Sequence, residues 1–147
     1  WMHLGFNMIT LYYFGRIVEV YFRELFGPGV FILFYLIAMV VADLQTYFKY
    51  RHTYNYRALG ASGAVSAVLF ASILFNPWAK IYLFFIPIGI PAFIFGILYL
   101  AYCMYMSKKG NDGINHTAHL WGAIFGILFT VVLEPKMGAF FLQQLLG

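Results

Sequence analysis

The amino-acid sequence predicts an all-α polytopic membrane protein, and three observations support this fold class. Of the 147 residues, 63% are hydrophobic and only 10% are charged, whereas a soluble domain has about 25% charged residues. The charges cluster in short segments that separate long apolar runs, as in proteins whose helices cross a bilayer. Turns such as Gly27-Pro28-Gly29 and Asn76-Pro77 lie between these runs and end the helices.

Five membrane-spanning helices follow from the apolar runs and their boundaries. Pro91 suits the first turn of the fourth helix, because proline lacks the N–H that an interior position needs. A polar turn at residues 107–113 separates the fourth helix from the fifth. All five helices belong to a single domain of residues 1–147, and their expected ranges are about 1–22, 30–48, 61–75, 91–106 and 115–133.

The remaining segments are predicted to contact the membrane surface. Residues 49–59 form a basic loop rich in tyrosine, which is typical of the interface. Residues 78–90, broken by Pro87 and Gly89, predict an interfacial connector, and residues 134–147 predict an amphipathic tail on the surface. The net charge of +4 comes from such short basic segments, so it indicates lipid head groups and not nucleic acid.

Cysteine content and the first residue add two further expectations. Cys103 is the only cysteine and lies in an apolar run, so we expect neither a disulfide framework nor a thiolate metal cluster. A buried, inert thiol is the interpretation that remains. Trp1 already lies in an apolar segment, so the sequence is expected to begin inside an element of a longer protein.

The order of the five helices places several polar residues at one face of the membrane. The first, third and fifth helices must cross the bilayer in the same direction. His3 and Asn7, Ser62, and His116 with His119 lie in the first turns of those three helices. We therefore expect them at similar shallow depth near one membrane face.

Two stripes of small residues predict that the third and fifth helices touch. Small residues at four-residue spacing let membrane helices approach closely. The stripes are Gly63, Ala67 and Ala71 on the third helix and Ala118, Gly122 and Gly126 on the fifth. Ser62 precedes the first stripe by one residue and His119 follows the first member of the second, so contact between the stripes would bring Ser62 near His119.

A serine and a histidine in this arrangement predict nucleophilic chemistry. A serine hydroxyl becomes a strong nucleophile when a neutral imidazole removes its proton. The helix start at Ser62 supplies free backbone N–H groups for an oxyanion, and Asn7 and His3 add side-chain donors. A catalytic triad would need an acidic residue beside His119, and Asp43 and Asp112 are the only candidates. A Ser–His dyad is therefore the simpler hypothesis.

Each polar residue also has an ordinary structural interpretation. Serine and glycine are common packing residues in membrane helices. His119 can be a hydrogen-bonding residue between helices, or it can pair with His116 to bind a metal or haem. His3 and Asn7 can serve polar contacts between helices. Polar groups inside membrane spans are costly, however, and several at one depth favour a functional site.

The sequence resembles the rhomboid family of intramembrane serine proteases. Residues 60–63 (Gly-Ala-Ser-Gly) match the Gly-x-Ser-Gly motif of the family, and residues 118–126 match its Ala-His-x-x-Gly-x-x-x-Gly helix at every fixed position. His3 and Asn7 match an upstream His-x-x-x-Asn motif, and Glu19 matches a glutamate near the other end of that helix. These motifs extend over nearly the whole chain in the family's order.

The resemblance implies a mechanism and a location. Ser62 would be the nucleophile, His119 the general base, and the Ser62 N–H with Asn7 and His3 the oxyanion site. The enzyme would cleave peptide bonds in or near the transmembrane segments of single-span substrates, without metal or cofactor. It would be an integral multi-pass protein of the bacterial inner membrane, with its site in a water-filled cavity that faces outside. The glycines expected to pack helices near the site are Gly60, Gly63, Gly122 and Gly126.

Two departures from the family pattern are visible. The family has six core helices, and five are expected here because the one before the His-x-x-x-Asn helix is missing. Many members carry an aromatic residue four positions after the nucleophile, which packs on the histidine, but this position is Ser66 here. Trp121 or a tyrosine of residues 47–56 is the expected substitute.

Three functional hypotheses remain after this comparison. The first is the intramembrane protease, and the intact Ser62 and His119 favour it. The second is a catalytically silent rhomboid-like protein that binds transmembrane clients. The third is a histidine-ligated redox or transport subunit, which would carry metal or haem.

Overall fold

The computed structural model describes residues 1–52, 60–83, 86–110 and 113–147, and helices make up most of this part of the chain. The predicted all-α class is confirmed. By length and composition, α2 and α5 can each cross a membrane, and α3 is a shorter apolar helix. The helices are α1 (Met2–Phe26), α2 (Val30–Tyr50), α3 (Ser62–Phe75), α4 (Ala92–Lys109), α5 (His116–Leu133) and α6 (Lys136–Leu146).

Three of the helices, α1, α2 and α4, extend past their predicted ends because charged residues continue them, and α2 includes residues 49 and 50 of the predicted basic loop. In α1, Arg23 forms an exposed ion pair with Glu19, one helical turn earlier, at 3.4 Å. The helix then ends at Gly27, whose φ of 93° is accessible mainly to glycine. In the same way α4 continues through the lysines to Lys109. Most of the predicted basic loop (residues 53–59) and part of the predicted polar turn (residues 111–112) lie outside the described residues.

The centre of the bundle is α3. Every residue from Ser62 to Phe75 is buried, and α3 packs against α1, α2, α4, α5 and α6. A helix that is apolar on all sides is expected in such a central position. Around its C-terminal half, the ring of Phe22 packs edge-on against Phe34 at 5.2 Å and against Phe75 at 6.1 Å.

The contact between α3 and α5 brings two backbones together. A Cβ atom added to Gly122 would overlap the carbonyl oxygen of Gly63, and one added to Gly126 would overlap the carbonyl oxygen of Ala67. A Cβ atom on Gly63 would lie 3.0 Å from the carbonyl oxygen of Ala118. The small residues of the two stripes therefore face each other along the helices.

Residues 78–90 differ from the interfacial connector that the sequence predicts. They contain most of an antiparallel hairpin of β1 (Lys80–Leu83) and β2 (Ile86–Pro91), with Lys80 opposite Pro91. Prolines are tolerated there because both strands of a two-stranded sheet are edge strands. Gly89 is required by close packing, since an added Cβ atom would lie 2.8 Å from the Lys80 side chain.

The C-terminal residues form α6, which packs against α3. Met137 is its buried residue. The Trp78 indole N–H donates to the Gln144 carbonyl oxygen at 2.8 Å, and the Gln144 amide donates to the Phe75 carbonyl oxygen at 3.4 Å. These bonds hold α6 against the start of the segment that leads to the hairpin.

Candidate active site

A cavity of about 1180 Å³ lies among α1, α3, β1, α4 and α5. It is lined by the four residues for which the sequence predicts catalytic or oxyanion roles, namely His3, Asn7, Ser62 and His119. Further polar residues of the lining are Thr10, Tyr13, Ser66, Lys80, Tyr82, Tyr99, Tyr102, Cys103 and His116. The fold thus collects polar groups from distant parts of the chain in one open cavity.

Ser62 is the first residue of α3 and is only 8% exposed. The first helical hydrogen bond runs from the Val65 N–H to the Ala61 carbonyl oxygen at 2.9 Å. The N–H groups of Ser62, Gly63 and Ala64 therefore have no acceptor within the helix. This helix start is also the positive end of the helix dipole, which favours a developing anion.

His119 lies in the first turn of α5, and a hydrogen-bonded cap fixes the start of that turn. The Asn115 side-chain oxygen accepts from the Ala118 N–H at 3.1 Å. The Asn115 amide also donates to the hydroxyl of Thr46 on α2 at 3.1 Å. Because Thr46 is only 3% exposed, this pair anchors the start of α5 inside the bundle.

Three aromatic side chains surround the imidazole of His119. The rings of His3 and Tyr99 lie nearly parallel to it, each with a centroid distance of 6.2 Å. The ring of His116 meets it edge-on at 5.9 Å. These distances are within the range for offset and edge-to-face packing, so the imidazole has a defined orientation.

Tyr99 supplies the aromatic ring that the sequence lacks at position 66. The Ser66 hydroxyl donates to the Ser62 carbonyl oxygen at 3.1 Å and lies 2.8 Å from the Tyr99 hydroxyl. Ser66 on α3 thereby holds a tyrosine of α4 against His119.

The alternative expected from the sequence, Trp121, has a different position. Its indole N–H donates to the side-chain oxygen of Gln45 on α2, and the residue is 39% exposed. The prediction that Trp121 orients His119 is therefore wrong. The other expected substitute was a tyrosine of residues 47–56, of which Tyr54 and Tyr56 lie outside the described residues.

Cys103 also has a place that the sequence does not reveal. It is buried as predicted, but it lines the cavity with His116 and His119, and ligand atoms of the three residues all lie within 4.8 Å of one another. Tyr99, Tyr102 and Cys103 are spaced three and four residues apart on α4, so they share a helix face. That spacing was the available signal that α4 faces the site.

The acidic candidates do not join the cavity in the described part of the chain. Asp43 on α2 is absent from the lining, and Asp112 lies outside the described residues. Gly60, which was grouped with the packing glycines, also stands apart from α5. A Cβ atom added to it would meet only atoms of Ser62 among the described residues.

The fold and this cavity define a helical membrane protein with serine and histidine on contacting turns of two central helices. The Rhomboid domain family model matches residues 1–136, and the chain belongs to the rhomboid family. It is 33% identical over 133 residues to the RHOMBOID-like protein 12, mitochondrial, of Arabidopsis thaliana. This alignment covers 82% of the present chain and 39% of the relative. No solved structure matches the chain.

Family membership confirms the resemblance and the rhomboid-like helical bundle that the sequence predicts. The chain is accordingly a membrane protein of a family that acts on membrane-protein substrates. It spans about two fifths of the length of the curated relative.

Proposed function

We propose that this protein is an intramembrane serine endopeptidase in which Ser62 is the nucleophile and His119 the general base. The observation that carries the proposal is the contact between the turns that hold these residues. Gly63, next to Ser62, packs on the backbone of Ala118, next to His119. Both side chains line the same cavity, where the proposed mechanism requires one substrate carbonyl to contact both.

The proposed reaction needs only groups that the chain supplies. The Ser62 oxygen attacks the carbonyl carbon of the substrate while His119 takes the hydroxyl proton. The oxyanion that forms accepts hydrogen bonds from the Ser62 N–H and from Asn7 and His3. The tetrahedral intermediate then collapses, His119 gives its proton to the leaving amine, and a water molecule hydrolyses the acyl enzyme by the same steps.

The dimensions of α3 support a site below the membrane surface. The helix has 14 residues, which corresponds to a length of about 21 Å. The hydrocarbon core of a bilayer is about 30 Å thick, so at least one end of α3 lies within it. Ser62 is at the end that opens into the cavity, where water and a peptide bond can meet.

A route for substrates is supported by the gap between α1 and α4. Both helices line the cavity, but their backbones do not approach each other in the described residues. A transmembrane segment can therefore reach the site from the bilayer without passing through a packed interface. We propose single-span membrane proteins as substrates and the bacterial inner membrane as the location, although the plant relative is named mitochondrial.

Labelling with a fluorophosphonate probe tests the nucleophile. We expect the purified protein in detergent to be labelled, and Ser62→Ala to abolish labelling. His119→Ala should slow it by several orders of magnitude, because a member of such a catalytic unit typically contributes about 10⁴-fold or more. Ser72→Ala is the matched control, since Ser72 is buried on the same helix and donates to the Leu69 carbonyl oxygen at 2.6 Å. Equal labelling of the Ser62→Ala and unmodified proteins would refute the assignment.

A catalytically silent rhomboid-like protein that binds transmembrane clients is the second candidate. The accessible cavity supports this function as much as it supports the protease. A transmembrane segment can lie between α1 and α4 whether or not it is cleaved. Photocrosslinking of a single-span peptide without cleavage, in a protein that the probe does not label, would identify this function. Crosslinking followed by cleavage that depends on Ser62 supports the protease.

A further inference from the structure

We propose that Cys103, His116 and His119 form a binding site for a thiophilic divalent metal ion of the zinc type. We further infer that an ion at this site blocks proteolysis. The site itself depends only on the three side chains. The inhibition rests on the proposed function, because it requires His119 to be the general base.

The three residues come from two helices and converge on the cavity. His116 and His119 are three residues apart on α5 and so share a face, and Cys103 comes from α4. They are buried, with exposures of 1% for Cys103, 3% for His116 and 9% for His119. Their ligand atoms lie within 4.8 Å of one another, so one ion can reach all three once the side chains close around it.

Zinc geometry fits this arrangement after a small closure. Zinc lies about 2.3 Å from sulfur and about 2.0–2.1 Å from nitrogen in tetrahedral sites, which places neighbouring ligand atoms roughly 3.5 Å apart. Rotation of the side chains would bring the three atoms from separations of up to 4.8 Å to that spacing. Three protein ligands leave the fourth position open to the cavity, as in zinc sites that hold a water molecule.

The donor set selects the class of metal. Thiolate and imidazole favour zinc and similar transition ions, whereas magnesium and calcium prefer oxygen ligands. No carboxylate of the described residues lines the cavity. Binding converts the Cys103 thiol to a thiolate and releases one proton to solvent, so the charge of the ion compensates a sulfur anion that burial alone would disfavour.

Metal binding removes the catalytic base. A histidine that ligates a metal through one ring nitrogen carries its proton on the other nitrogen. Neither nitrogen of His119 can then accept the proton of Ser62. Tyr102 packs edge-on against His116, with ring centroids 5.2 Å apart. This contact helps to hold the His116 imidazole in position.

Cobalt substitution tests the site directly. We expect Co²⁺ added to the purified, metal-free protein to give the visible bands of a tetrahedral ion and a sulfur-to-cobalt charge-transfer band. Because the chain has one cysteine, that band has to come from Cys103. Its absence in the unmodified protein would overturn the proposal without any need for a variant.

Variants then identify the ligands. Cys103→Ser should remove the charge-transfer band. It should also weaken zinc affinity, measured by competition with a chromophoric chelator. Loss of a residue that only supports a ligand costs about 10- to 100-fold in affinity, and loss of Cys103 itself should cost more. His116→Gln should weaken zinc binding similarly. The matched control is His52→Gln, which changes the exposed histidine after α2 and should leave zinc affinity unchanged. Unchanged affinity in Cys103→Ser would refute the site.

Probe labelling separates this proposal from the protease assignment. Zinc should suppress fluorophosphonate labelling of the unmodified protein and a chelator should restore it, while labelling of Cys103→Ser should resist the same zinc concentration. If Ser62 is never labelled but the cobalt spectrum appears, the protease assignment fails and the metal site stands. If labelling and the cobalt spectrum are both present but zinc has no effect on labelling, the inhibition is refuted.

Discussion

The two sides of the cavity are built in different ways. On one side α3 and α5 are in backbone contact along their small residues, and Ser62 and His119 lie on the contacting turns. On the other side α1 and α4 both line the cavity but do not pack on each other in the described residues. Large side chains of α1 that line the cavity, such as Phe6 and Tyr13, are about half exposed or more.

This difference indicates how the protein can be both rigid and accessible. Packing in membrane helices depends on close contact, because the lipid is as apolar as the helix surface. The α3–α5 contact therefore holds Ser62 and His119 at fixed positions. The α1–α4 side lacks such contact, so the substrate entry proposed there need not disturb Ser62 and His119. Four changes test this contrast, and they are ordered from the largest expected effect to the smallest.

Gly126→Ala tests the closed side. The added methyl group would overlap the Ala67 carbonyl oxygen, and backbone cannot move aside as a flexible side chain can. Overpacking typically costs about 1–3 kcal/mol, and we expect a loss of stability of about 3 kcal/mol or more here. Thermal unfolding in detergent measures it. Gly138→Ala is the control, since its nearest neighbour would be 3.8 Å away. Equal stability of the two variants would contradict the backbone contact.

Tyr99 tests the orientation of His119 by its neighbours. Tyr99→Leu removes the ring that lies parallel to the imidazole, and we expect the rate of fluorophosphonate labelling to fall on the order of 10- to 100-fold. Tyr99→Phe keeps the ring and loses the hydroxyl, which contacts Ser66 and hydrogen-bonds with Cys103. Loss of each such bond costs about 0.5–1.5 kcal/mol of stability. Tyr99→Phe should retain most of the labelling rate. A Phe variant as slow as the Leu variant would mean that the hydroxyl, not the ring, is important.

The Asn115 cap tests the anchoring of α5. Asn115→Ala removes the cap and leaves the buried Thr46 hydroxyl without this amide, so we expect a loss of about 0.5–2 kcal/mol. Thr46→Val removes only the bond between helices, and it should cost less. Thermal unfolding in detergent measures both variants. The order is informative, because a larger loss in Thr46→Val would show that the bond to α2 is more important than the cap.

Tyr13→Ala tests the open side and should have the smallest effect on stability. Tyr13 lines the cavity and is 64% exposed, so we expect a change in unfolding free energy within about 0.5 kcal/mol. A wider gap should nevertheless speed cleavage of a fluorogenic single-span peptide. Its neighbour Tyr12 is similarly exposed and does not line the cavity, so Tyr12→Ala is the control. A destabilised Tyr13 variant, or equal cleavage by both variants, would contradict an open α1–α4 side.

Much of the helical framework can be predicted from local patterns. Apolar runs, the Gly27 turn and the stripes of small residues each act over a few neighbouring positions, so they can be recognised without the fold. Residues 78–90 could not be assigned in this way, because a two-stranded hairpin depends on pairing between Lys80 and Pro91 across the turn. The extensions of α1 and α4 depend on charged residues that also suit loops.

The sequence by itself determined the class of the protein, its motifs and the candidate roles of His3, Asn7, Ser62 and His119, which stay predictions. Composition and apolar runs indicated the class, helix parity and residue spacing brought the four residues together, and the family resemblance implied their roles. Only the tertiary structure decided that Tyr99 lies against His119 through Ser66 and that Cys103 joins two histidines. Both arrangements depend on the rotation of α4 about its axis, which packing determines. The spacing of Tyr99, Tyr102 and Cys103 places these residues on one helix face, but it does not determine which neighbouring helices that face meets.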